Sequence, residues 1–218
     1  MNVIPHGVSD RYFDGKSNTL KDSMKLMMGD QKYLLYIGGS LERKRFSWAI
    51  EVFRQVRRTE SDVLLAACGF AQGEVAAAIN DIPSDIKSHV RVLPFVSEDE
   101  MPALYHGASA VLYPTLYEGF GLPVVEAIAC GAPILFSGVG SLEELQGPGS
   151  IVLPPHELTP WVEEIRRAIH NTESRDLRKL QGQAWARRYS WAASADMHMA
   201  VYLAAVGRQS GFGEIGIS

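Results

Sequence analysis

Cysteine is scarce in this chain. Only two cysteines, Cys68 and Cys130, occur in 218 residues, and both sit in apolar runs. Two thiols cannot build the disulfide framework of a small secreted domain. They read as buried free thiols in a reducing compartment. No apolar stretch reaches the roughly 20 residues that a bilayer span needs. The N-terminus lacks the basic and apolar regions of a signal peptide, so a cytoplasmic location is the expectation. Charge of one sign is not in large excess: 21 Lys and Arg stand against 25 Asp and Glu, a net −4. That balance gives no reason to expect a nucleic-acid partner. His6, His89, His106, His156, His170 and His198 show no metal-ligand spacing, and no metal is expected. No G-x-x-x-x-G-K-[ST] run occurs, which argues against a P-loop kinase or ATPase. Internal repeats and low-complexity tracts are absent.

What is present is globular composition, 46% hydrophobic and 21% charged, enough for one domain with one substantial core. The first 30 residues are irregular. Ile4 to Val8 reads as a short extended segment, and Asp10 to Gly29 as a loop or short helix. After that the pattern alternates. Strands are expected at Tyr33–Ile37, Asp62–Cys68, Val90–Leu93, Ala110–Tyr113, Pro133–Phe136 and Ser150–Leu153. Helices are expected at Phe46–Arg57, Gln72–Asn80, Glu98–His106, Leu122–Cys130 and Leu142–Leu145. From Leu158 the chain reads as helical, with segments Pro160–His170, Glu173–Tyr189 and Trp191–Val206. Residues 207–218 are expected to form a disordered tail. Such alternation implies right-handed crossovers and a Rossmann-like parallel sheet flanked by helices. Ligands then bind beyond the carboxyl ends of the strands.

One stretch falls on that edge: Glu118-Gly119-Phe120-Gly121-Leu122-Pro123-Val124-Val125-Glu126. It joins an expected strand to an expected helix. A glycine-rich turn of this kind leaves backbone N–H groups free, and the helix dipole adds partial positive charge. Pro123 suits a first helical turn. Two carboxylates flank an anion site, so a phosphate with a sugar on each side would satisfy both. The stretch also resembles the start of a dinucleotide fingerprint. Val124 at the third glycine position and the insert Thr115 to Glu118 both count against that reading. Ser97 with Glu100, and Ser141 with Glu144, read as capping boxes rather than acidic metal motifs. Arg57-Arg58 reads as a solvated helix end.

Glu118 and Glu126 enclose seven residues. This E-x7-E spacing, inside E-G-F-G-L-P-x-x-E-A, resembles the consensus of glycosyltransferase family 4, the group 1 glycosyltransferases. Ile4-Pro5-His6-Gly7-Val8 is similar to the segment that opens that family's C-terminal domain. Tyr36-Ile37-Gly38-Gly39-Ser40-Leu41-Glu42-Arg43-Lys44 is similar to its Y-V-G-x-L-E-P-R-K segment. The turns at Phe95-Val96-Ser97 and Ser137 to Ser141 also match in order, so the resemblance runs over roughly residues 3–205.

The resemblance implies one half of a GT-B fold. Residues 1–30 would be a linker and residues 31–206 the nucleotide-sugar-binding C-terminal domain. The N-terminal domain would be missing. It implies a retaining transfer of a hexose, with mannose favoured, from a GDP- or UDP-linked sugar to a sugar or lipid-linked acceptor. No cofactor is implied, and a full-length enzyme would sit peripherally at the membrane. Lys44 would offset charge on the leaving diphosphate, Glu118 would position the donor sugar, and Glu126 would accept from the ribose hydroxyls. The N–H groups of Phe120, Gly121 and Leu122 would hold the diphosphate, with Gly38, Gly39, Ser40, Arg43 and Gly119 completing the donor site. Where the family often has an arginine, this chain has Gly39-Ser40, and it lacks the proline before Arg43. Arg43 either stands in for that arginine or has no such role. A non-catalytic binding module that pairs with a separate subunit is the alternative.

Overall fold

The computed structural model describes residues 3–13, 25, 27–93, 95–171 and 175–209. The remaining positions of the expected Asp10–Gly29 segment, and residues 210–218 of the expected tail, lie outside the described residues. Six strands form one parallel sheet: β1 (Lys32–Ile37), β2 (Val63–Cys68), β3 (Val90–Val92), β4 (Ala110–Tyr113), β5 (Ile134–Ser137) and β6 (Ser150–Leu153). Their order across the sheet is β3-β2-β1-β4-β5-β6. Chain direction across the sheet therefore reverses between β1 and β4, which pair through Leu34–Ala110, Leu35–Val111 and Tyr36–Leu112. This is the doubly wound order, and its crevice lies at that switch.

Two core layers follow from side-chain alternation along the strands. Leu34 and Tyr36 enter one layer, and Tyr33 and Leu35 the other. The first layer is closed by α1 (Phe46–Val56), α2 (Val75–Asn80) and α5 (Leu158–His170), through residues such as Phe53, Ala78 and Trp161. The second is closed chiefly by α3 (Met101–Gly107) and α4 (Leu122–Ala129), through residues such as Leu104, Val125 and Ile128. Outside α4 packs α6 (Arg175–Ala186). Strands buried on both faces explain why β2 reads as the unbroken run Val-Leu-Leu-Ala-Ala-Cys.

Two helices start later than expected. Residues 98–100 form turns before α3, and residues 72–74 turns before α2. The expected segment 142–145 is a 3-10 helix, Gly140–Leu145. The last helix, α7 (Trp191–Gln209), continues past the expected end at Val206. It exposes Trp191, Met199, Tyr202, Leu203 and Val206 by 56–65%. Ile4 to Gly7 has no regular structure, and Val8 forms an isolated parallel bridge with Ser190. The segment is tied down by Val8 N–H donating to Tyr189 O (2.6 Å) and Ser194 Oγ donating to Pro5 O (2.9 Å).

Helices α4 and α6 approach closely because Gly182 has no side chain. A Cβ there would lie 2.9 Å from the Ile128 carbonyl carbon and collide with its oxygen. Helix propensity alone favours Gly182→Ala by roughly 1 kcal/mol. Overpacking costs about 1–3 kcal/mol. The expected outcome is a net loss of stability, read as a lower urea midpoint. A gain would show that the helices separate freely.

Candidate active site

The crevice at the β1/β4 switch is bounded by the loop after β1 and the loop after β4. After Ile37 the chain turns sharply. The N–H groups of Gly38 and Gly39 both donate to Cys68 O at 3.2 Å. Gly39 has φ +63°, and a Cβ on it would collide with the Gly69 carbonyl oxygen. Only glycine fits such a left-handed residue pressed against another backbone. Gly38 and Gly39 thus reach the predicted edge, but their amides are engaged within the fold. Ser40 turns away to the α1–α2 side, where its hydroxyl helps hold the Glu74 carboxyl group below its ordinary pKa. Arg43 and Lys44 follow in a 3-10 turn, Glu42–Lys44.

From the other side, the loop after β4 brings Glu118 to those two cations. Lys44 Nζ lies 2.5 Å from Glu118 Oε1, and Arg43 Nη1 lies 2.6 Å from the same oxygen. Thr115 Oγ1 also donates to it, at 2.9 Å. Lys44 donates a further bond to the Tyr113 hydroxyl at 2.6 Å. Leu116 N–H donates to Arg43 O at 2.8 Å, and Arg43 donates to Tyr117 O at 2.9 Å, so the loops are laced together by backbone as well. The Lys44 and Glu118 side chains are only 12% and 11% exposed. Burial raises the Glu118 pKa, but the Lys44 hydrogen bond and charge, with Thr115 and Tyr113, outweigh it and the net shift is downward. Burial pushes Lys44 down, and its bond to Glu118 offsets only part of this. The Glu118 carboxylate is therefore held ionised at neutral pH, with cations and a hydroxyl as its partners.

Gly121 caps α4 with φ +102°, and Pro123 lies in the first turn. Among the described residues, the N–H groups of Gly119, Phe120, Gly121 and Leu122 donate to no protein acceptor. They stand at the positive end of α4, as a phosphate site requires. The Phe120 ring packs edge-on against His6 and Tyr189, at 5.6 and 5.7 Å, and so anchors the turn.

Glu126 lies in the second turn of α4, not the first, because the helix begins at Leu122. Dipole stabilisation fades within one turn, so its placement has another cause. The buried Tyr105 donates to Glu126 Oε2 at 2.8 Å, and the Tyr12 hydroxyl engages the same carboxyl group. Burial nonetheless leaves the Glu126 pKa raised. Tyr12, Tyr105, Tyr113 and Thr115 escaped the sequence reading: Tyr105 and Tyr113 sit among apolar neighbours and look like core residues, while Tyr12 and Thr115 carry no local motif.

The expected Ser141–Glu144 capping box does not form, and the Ser97–Glu100 box forms only in the half in which the glutamate accepts from the serine N–H. Ser141 Oγ donates to Glu118 O at 2.9 Å, which fixes the carboxylate loop instead of capping a helix. Glu100, not Ser97, precedes α3, and its carboxylate accepts from Ser97 N–H at 3.1 Å and Ser97 Oγ at 2.5 Å. Cys68 and Cys130 are buried free thiols, and burial pushes Cys68 up to about 12. Among the described residues no cluster of His, Cys, Asp and Glu could hold a metal, and no helix is long and apolar enough to cross a membrane.

The depressed Glu118 pKa has a consequence for stability. A carboxyl group held below its unfolded value, about 4.3, contributes stability above that value and loses it as pH falls through the folded pKa. Glu118→Gln should therefore cost about 1–3 kcal/mol at pH 7, because it leaves Lys44 without its counter-charge. The difference from the unaltered chain should shrink below about pH 4. Urea midpoints measured from pH 7 to 3 check this, and a pH-independent difference would contradict it.

Known proteins with similar sequences and folds point one way. The chain is 29% identical over 169 residues to the O-antigen chain mannosyltransferase B of Escherichia coli, covering 77% of this chain and 44% of that protein. It is 36% identical over 120 residues to the MMP alpha-(1->4)-mannosyltransferase of Mycolicibacterium hassiacum, covering 52% of this chain and 28% of that one. The chain thus spans less than half the length of these relatives. The crystal structure of Anabaena HepE in complex with UDP-glucose superposes with a TM-score of 0.75 at 20% identity, over 92% of this chain and 57% of that one. That likeness shows the fold. The family model for group 1 glycosyl transferases matches residues 21–185, so the chain belongs to the group 1 glycosyl transferases.

Proposed function

We propose that this chain is the donor-binding, C-terminal half of a retaining GT-B glycosyltransferase of family 4. It transfers a hexose from a nucleoside diphosphate sugar to an acceptor hydroxyl in polysaccharide or glycoconjugate synthesis. One observation carries the reading. Four amides at the start of α4, without a protein acceptor among the described residues, share a crevice mouth with the Lys44–Glu118 pair, at the sheet's topological switch. The diphosphate sits on the amides of Phe120, Gly121 and Leu122. Lys44 and Arg43 offset charge on the leaving diphosphate, Glu118 positions the donor sugar, and Glu126 accepts from the ribose hydroxyls. In this reading the donor's own phosphate oxygen takes the acceptor proton. The protein then contributes orientation and charge stabilisation.

Mannose is the favoured sugar. The mannosyltransferases among the relatives support that choice, and the UDP-glucose bound to HepE keeps UDP-hexoses next. The acceptor and the second half of the cleft belong to a further domain or subunit. The apolar surface that α7 leaves exposed is consistent with such a partner.

Calorimetric titration with GDP, UDP, GDP-mannose, UDP-glucose and UDP-N-acetylglucosamine tests the reading. Preference for one nucleotide is expected, and binding to none of the five would overturn a donor site on this chain. Lys44→Ala should weaken binding of the preferred ligand by about 2 kcal/mol, roughly thirtyfold. Glu126→Ala should cost a similar amount without loss of fold, and an unchanged affinity would remove either residue from the site.

A further inference from the structure

Glu126 lies where three elements meet: α4, α3 and the 3-10 turn Asp10–Tyr12 from the start of the chain. Two tyrosines converge on it. Tyr105, on α3, is fully buried and donates to Oε2 at 2.8 Å. Tyr12, 6% exposed, engages the same carboxyl group, and its ring stands edge-on to that of Tyr105 at 6.0 Å. Burial pushes both phenols far above their ordinary value, so each remains a protonated donor. The N-terminal turn is pinned above α3 by Arg11, which pairs with Glu98 at 3.1 Å and Asp99 at 2.9 Å.

The inference rests on Glu126 being the ribose acceptor. A ribose needs a carboxylate in a fixed orientation. A carboxylate in an apolar crevice without donors takes up a proton instead. Tyr105, Tyr12, Glu98 and Arg11 act on Glu126, and its charge in turn raises the pKa of Tyr113, Cys68 and Cys130 around it. Of these, Tyr105 donates to it directly, and the Tyr12 hydroxyl beside it acts in the same sense: both favour its ionised form. Glu98 and Arg11 act with opposite signs. Phenylalanine would fill the same apolar space at either position, so packing does not require the hydroxyls.

We propose that Tyr105 and Tyr12 are positioning residues for the donor: their hydroxyls hold the Glu126 carboxyl group ionised and aimed at the vicinal hydroxyls of a nucleotide ribose. The start of the chain thereby contributes to a site otherwise built from the loops after β1 and β4.

The test follows the Glu126 carboxyl carbon by 13C NMR through a pH titration of the full chain, with and without Tyr105→Phe and Tyr12→Phe. Loss of a charge-assisted hydrogen bond should raise the Glu126 midpoint by about one pH unit in Tyr105→Phe and by less in Tyr12→Phe. Nucleotide-sugar affinity should fall as Glu126 takes up its proton. That acid limb should move up with the midpoint, and affinity at neutral pH should drop about tenfold in Tyr105→Phe. A lower melting temperature with an unmoved carboxyl midpoint would mean that the tyrosines only pack, and would overturn the inference. If the midpoint moves and affinity does not, the tyrosines hold the carboxyl group but the donor does not use it, and the inference also falls. Glu126→Ala separates the premise: wild-type affinity in that variant would overturn the ribose assignment itself.

Discussion

An ion pair across the β1/β4 crevice joins the two loops on which the site depends. Lys44 arrives from the turn after β1 and Glu118 from the loop after β4, and their charged atoms meet at 2.5 Å. The strands that launch them are neighbours although 78 positions separate Lys32 from Ala110: the chain crosses from β1 to β2 and from β2 to β3, and its return to β4 reverses the winding. A doubly wound sheet opens its crevice at that reversal, because the connections on either side run to opposite faces. The pair is only slightly exposed, so neither charge could remain there alone. Arg43 and Thr115 satisfy further capacity of the same carboxylate oxygen.

The positive end of α4 faces the same region. Its first amides have no protein partner among the described residues, and the cap at Gly121 supplies the left-handed turn that exposes them. The cations and the amides present donors to an anion, and the carboxylates of Glu118 and Glu126 present acceptors to hydroxyls. A nucleoside diphosphate sugar carries both kinds of partner on one molecule. That match is chemical, and it stands beside the family membership without depending on it.

Much of this was legible in the sequence, for reasons specific to particular residues. Strands buried on both faces leave apolar runs such as Val63 to Cys68, and the alternation with helices carried the sheet class. The turn from Glu118 to Pro123 was readable because its glycines and proline have few other uses in that order. Other features were not local. Ser141 and Glu144 have capping-box spacing, yet Ser141 bonds to a carbonyl 23 positions away. The amides of Gly38 and Gly39 are taken up by Cys68 O, which only strand pairing places beside them. Tyr12 and Tyr105 lie 93 positions apart in sequence and meet only through the fold. Glu126 stands in the second turn of its helix, and the tyrosine that donates to it comes from another helix, 21 positions earlier.

Backbone amide NMR during titration with GDP-mannose and with UDP-glucose tests the central claim most directly. If a diphosphate sits at the start of α4, the largest shifts will fall on Gly119, Phe120, Gly121 and Leu122, with smaller ones at Arg43 and Lys44. A hollow of about 560 Å³ lies at the opposite edge of the sheet, lined by residues including Pro133, Gly149 and Arg178. Shifts centred there, with Gly119 to Leu122 unmoved, would contradict the account.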